Sequence, residues 1–127
     1  MMRWMLSTAA GSKNSCFSRG RFPPHQGTIA NRQALLDLGG FDTSYRIAAD
    51  YALFLKLSLR AEPSISADSI ALFHEGGLST IAWRESLSEF HRARREILKP
   101  SGLTGATEWL NTQIGIAKAT IYRRLMK

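Results

Sequence analysis

The chain reads as a series of short amphipathic helices joined by glycine- and proline-marked turns. Asn31 is a good N-cap for a helix from Arg32 to Leu38, with Ala34, Leu35 and Leu38 on one face and Gly39 as a left-handed stop. Gly40-Phe41-Asp42 predicts a turn with an aromatic plug. A second helix is expected after Asp50, with Leu53, Phe54, Leu57 and Ala61 on one side and Pro63 forcing an end. "SIALF", residues 69 to 73, is short and apolar and predicts a buried strand. Ser79 or Thr80 can cap a helix over about Ile81 to Leu98, whose stripe is Trp83, Leu87, Phe90 and Ile97. Pro100-Ser101-Gly102 separates it from a last helix over about Ala106 to Met126. There Leu110, Ile114, Ala117, Ile121 and Leu125 step by three or four.

The first 22 residues carry a weaker signal. Trp4, Met5 and Leu6 can form a short buried element, and "GSKNSCFSRGRFPP" reads as loop. Pro23-Pro24 fixes an extended approach to His25. Helices thus dominate, with one or two short strands. Such a set cannot close a full sheet, so the pattern suggests part of a larger α/β domain, or a small α+β unit.

Composition narrows the partners. The chain has 127 residues, 44% of them hydrophobic, enough for one small core. Seventeen basic residues stand against 10 acidic ones, a formal charge of +7 that favours anionic partners. The single cysteine, Cys16, excludes an intrachain disulfide and a cysteine zinc cluster. No apolar run approaches the ~20 residues of a spanning helix. The chain reads as cytoplasmic, with contact at the inner membrane face as an option. No helix-turn-helix, zinc or RNA-binding signature points to nucleic acid.

Chemistry-bearing residues gather in two places. In "PPHQGT", His25 and Gln26 can bind a diphosphate or position a sugar hydroxyl, or can simply be loop residues held by backbone bonds. Asp50, at a helix start, can act as a general base towards a hydroxyl, or can cap the helix by accepting from the amides of residues 52 or 53. "FHEGGLST" carries His74, Glu75, Gly76 and Gly77, and its glycine pair lets backbone amides approach a phosphate or sugar, as a plain turn also would. Asp42 suits a turn-building role. His25, His74 and Asp50 together have the composition of a two-histidine, one-carboxylate metal site, but no local ligand spacing.

Taken in order, "PPHQGT", "LLDLGGFD", "AADYALFLKL", "IALF" and "HEGGLST" resemble the second half of family 2 glycosyltransferases with the GT-A fold. The resemblance covers residues 23 to 79, and five motifs agree in order and spacing. It implies inverting transfer of a sugar from a nucleotide-sugar donor to a hydroxyl of a sugar or lipid-linked acceptor. Asp50 then matches the catalytic base, which activates the nucleophile opposite the leaving group of an oxocarbenium-like transition state. His25, Gln26 and Gly27 match positions lining the acceptor and diphosphate side. His74 and the loop Glu75 to Ser79 match a segment that closes near the site.

The chain also departs from that pattern. Thr43 follows Gly-Gly-Phe-Asp where the family usually has an acid, and Ala52 stands where a second Asp is common. No Asp-x-Asp motif occurs, and 22 residues precede Pro23 where the family's first half needs roughly a hundred, the size of a small domain. The Mg or Mn ion and nucleotide-sugar of the complete domain would therefore bind elsewhere, and none is expected to be held by this chain alone.

The fold expectation is accordingly an α/β, GT-A-like fragment, mostly helical, lacking the N-terminal nucleotide-binding half. Its parts are an N-terminal segment (1–22), an acceptor-side part (23–80) and C-terminal basic helices (81–127). It would arise by truncation, a split gene or a misplaced start codon, and be inactive alone. The competing reading is a non-catalytic basic module that binds a membrane surface or another anionic partner. From Arg84 onward there are nine basic and four acidic residues, and "HRARRE", "YRRLMK", Trp83, Trp109 and Tyr122 could grip such a surface.

Overall fold

The computed structural model describes residues 4–7, 25–66, 71 and 77–125. It divides into two compact units, Met1–Glu75 and Gly76–Lys127.

The first unit holds a small sheet and two helices. Strand β1 (Trp4–Ser7) lies centrally, antiparallel to β2 (Thr28–Ala30) and parallel to β3 (Ser64–Ser66), in the order β2-β1-β3. The apolar block at the N-terminus thus supplies the middle strand. Met5 pairs with Ile29, and Leu6 pairs with Ile65. Because alternate positions face opposite sides of a strand, Ile29 and Ile65 lie on opposite faces of the sheet. Both are exposed. The strand expected at residues 69 to 73 falls outside the described residues except for Ala71, which belongs to no element.

Helix α1 (Arg32–Asp37) is bounded by local chemistry at both ends. The Asn31 side chain accepts from the Ala34 amide at 3.1 Å. At the other end Gly39 N–H donates to Leu36 O and Gly40 N–H to Leu35 O, both at 2.9 Å. Those two bonds form a Schellman motif, and Gly39 takes the φ of +92° that it requires. Ala34 is buried against Phe54 and Leu57, with Leu35, Leu38, Ala30 and Ala61 around them.

The turn that follows is held by Asp42, whose side chain accepts from Ser44 N–H at 2.9 Å and whose carbonyl accepts from Tyr45 N–H. Phe41 is not the plug expected of it, because it is largely exposed and Tyr45 is buried instead. Helix α2 (Ala49–Ser58) then runs through the core of this unit. Tyr51, Ala52, Leu53, Phe54, Leu55 and Leu57 are all buried, so it is enclosed on every side rather than along one stripe. It stops at Ser58, before the Pro63 that was expected to end it.

The second unit is helical throughout its described residues. Helix α3 (Leu78–Ile81) is a single turn, and α4 (Trp83–Leu98) starts after Ala82, which closes one helix and opens the next. Neither glycine nor proline marks the break, so the periodicity reads straight across it. Ser79 and Thr80, the expected caps, lie instead within the span of α3, and Gly77 occupies the N-cap. Lys99 ends α4 in the left-handed region at φ 46°, and Gly102, at φ 57°, opens α5 (Gly102–Leu125).

The two long helices form a hairpin knitted by polar side chains. The buried Thr112 hydroxyl accepts from the Arg94 guanidinium at 3.2 Å and meets His91 Nδ1 at 3.1 Å. Further along, Arg84 donates to Thr120 Oγ1 at 3.4 Å. On α4 the fully buried positions are Ser86 and Ala93, seven residues apart and small enough for close approach of the helices.

Candidate functional site

Asp50 and His25 meet in the first unit. His25 lies in a single 3-10 turn (His25–Gly27) that leads directly into β2. The sheet anchors that turn beside the start of α2. His25 Nδ1 is 2.6 Å from Asp50 Oδ2, and the other carboxylate oxygen accepts from Tyr51 N–H at 2.7 Å. Gln26 and Gly27 complete the same turn, Gln26 exposed and Gly27 half-buried.

The position of Asp50 corrects the sequence reading. Ala48 is the N-cap of α2, and no side chain caps that end. Asp50 is the second residue of the helix, so its carboxylate does not fold back onto the amides of residues 52 or 53. It turns instead towards His25, 25 residues earlier. An acid in the first turn still gains from the partial positive charge of the helix N-terminus. The Asp50 side chain keeps 27% of its surface exposed and that of His25 51%. A carboxylate has about four lone-pair sites, so two hydrogen bonds leave room for an incoming hydroxyl.

Nδ1 of the half-exposed His25 ring faces the carboxylate. A neutral ring then donates Nδ1–H to Asp50, while a protonated ring makes an ion pair. Either way the carboxylate is oriented without being buried. Sequence spacing alone does not reveal this pair, because the contact is made through the sheet.

The rest of the expected site is distributed differently. His74, Glu75 and Gly76 lie outside the described residues, so the metal trio of His25, His74 and Asp50 does too. Among the described residues no three His, Cys, Asp or Glu side chains converge to hold a metal ion. Gly77 belongs to the second unit and has φ −69° and ψ 174°, ordinary extended backbone. A Cβ added there would meet nothing within 4 Å, so neither its backbone nor its surroundings call for glycine.

A separate cavity of about 260 Å³ opens near the α4–α5 turn, lined by His91, Arg95, Pro100, Gly105 and Trp109. In the sequence His91, Arg95 and Trp109 stood out only as parts of a surface-gripping set, not as the lining of a cavity. They converge only because the hairpin turn folds Trp109 back towards α4. No described helix is long and apolar enough to cross a membrane. Comparison with family models, with curated proteins and with solved structures finds nothing that matches the chain.

Proposed function

We propose that the first unit is the acceptor-side portion of an inverting, family 2-like glycosyltransferase domain of GT-A type, with Asp50 as its base. The observation that carries this reading is the His25–Asp50 pair. Two residues singled out by motifs 25 positions apart lie side by side, one in the turn before β2 and one in the first turn of α2. In the proposed reaction the acceptor hydroxyl oxygen attacks the anomeric carbon of the donor sugar. The bond to the nucleoside diphosphate breaks, the diphosphate leaves with that electron pair, and the hydroxyl proton passes to Asp50. His25 holds the carboxylate in place, and Gln26 and Gly27 line the approach.

The sheet also supports an incomplete domain. Its strands have three or four residues, and it exposes an isoleucine on each face. Sheets of α/β domains are normally covered on both faces by further elements. The nucleotide-sugar and its divalent metal would be held by such additional elements. Among the described residues no three metal-ligating side chains converge.

The test is Asp50→Asn in a protein with the donor portion restored. The amide oxygen still accepts from Tyr51 N–H, so the fold is retained, while transfer falls by about 10²- to 10⁴-fold. Near-normal turnover of that variant would rule out Asp50 as the base.

A further inference from the structure

The apolar stripe of α5 faces away from α4. Leu103, Leu110, Ile114, Ile121 and Leu125 are between 42% and 86% exposed, and Ala106 and Ala117 are exposed with them. At 3.6 residues per turn, the five large side chains share an arc of about 60°. Thr112, the buried contact to His91 and Arg94, lies roughly opposite them on the helix cylinder. Helix α5 therefore has two working faces. One carries Thr112 and meets α4. The other is an aliphatic ridge that runs about 33 Å from Leu103 to Leu125, with Thr107 in the same arc.

Charge selects what fits this ridge. Lys118 and Arg124, both exposed, flank it about 60° to either side. Glu108, the acidic residue of the helix, belongs by register to the other half of the cylinder. Residues 84 to 127 carry nine basic and four acidic residues. A second copy of the chain, itself carrying a net +7, would approach with like charge, whereas an anionic surface complements Lys118 and Arg124. The helix does not qualify as a membrane span, so an apolar ridge edged by cations suits lying in the plane of a bilayer.

We propose that α5 docks flat on an anionic phospholipid bilayer, with Leu103, Leu110, Ile114, Ile121 and Leu125 in the acyl boundary and Lys118 and Arg124 at the phosphates. This reading is independent of the chemistry at His25 and Asp50. It narrows the membrane contact from the basic runs and aromatics of both long helices to the outward face of α5.

Sedimentation of the full chain with vesicles tests it. Vesicles of equal parts phosphatidylglycerol and phosphatidylcholine should carry the chain down, and pure phosphatidylcholine should carry far less. The double variant Ile114→Glu, Ile121→Glu changes only exposed positions, so its helical circular dichroism should persist while its partition falls at least about tenfold. Lys118→Gln with Arg124→Gln should lower partition onto the anionic vesicles on the order of tenfold and leave the neutral ones unchanged. Failure of the unaltered chain to sediment with anionic vesicles at low salt would overturn the proposal. So would undiminished sedimentation of the isoleucine variant. A dimer by analytical ultracentrifugation that the isoleucine variant dissociates, without vesicle binding, would also overturn it and assign the ridge to a second copy.

Discussion

His25 Nδ1 and Asp50 Oδ2 lie 2.6 Å apart, joining the turn before β2 to the first turn of α2. The pair is partly exposed, so its contribution to the fold is small. Exposed ion pairs contribute about 0–1 kcal/mol.

His25→Ala should accordingly change the unfolding free energy by less than about 1 kcal/mol in urea titrations. In a protein with the donor portion restored, the same variant should reduce transfer without weakening donor binding. A loss of several kcal/mol would make the pair structural instead.

The buried cluster on α2 should behave in the opposite way. Leu57 is fully buried beside Ala34 and Phe54. Leu57→Ala should cost about 2–5 kcal/mol, the lost transfer energy plus the cavity left behind. Far-UV circular dichroism in urea reads the change. Leu59→Ala, at an exposed position just beyond the helix, should stay within about 0.5 kcal/mol.

Two left-handed positions make a matched pair of opposite sign. Gly39→Ala should destabilise the first unit by roughly 1–2 kcal/mol. An added Cβ there meets nothing within 4 Å, so the cost is conformational. Lys99 already occupies the left-handed region without being glycine. Lys99→Gly should stabilise the hairpin by up to about 1 kcal/mol, the relief of strain less the extra entropy of the unfolded chain. Thermal unfolding of each variant supplies the comparison.

The polar link inside the hairpin gives a further test. Thr112→Val keeps the shape of the side chain but removes the hydroxyl that joins Arg94 and His91. With these groups partly buried, the loss should be about 1–3 kcal/mol. Thr120→Val should have a smaller effect, since its bond from Arg84 is long and exposed. A reversed order in chemical denaturation would show that Thr112 is not what locks the helices.

Local chemistry was legible wherever the chain determined its own structure over a few residues. Asn31 and Gly39 bracket α1 as their types dictate, because a cap and a left-handed stop are satisfied within one turn. Asp42 builds its turn for the same reason. Where no residue type marks a boundary, sequence reading failed. Ala82 breaks a helix without glycine or proline, and Ala48, rather than Asp50, starts α2.

Periodicity determines that α5 has an apolar stripe, and tertiary packing decides that the stripe faces outward. Leu110, Ile114 and Ile121 obey a helical repeat whichever neighbour α4 chooses, and α4 meets the face carrying Thr112. Likewise, sequence determines that position 50 carries a carboxylate at a helix start. Only the sheet, by placing the 3-10 turn against that helix, decides that the carboxylate meets His25. The physical reason is common to both cases. Backbone hydrogen bonds within a helix or turn are closed by nearby residues. The partner of a face or a side chain is chosen by elements distant along the chain.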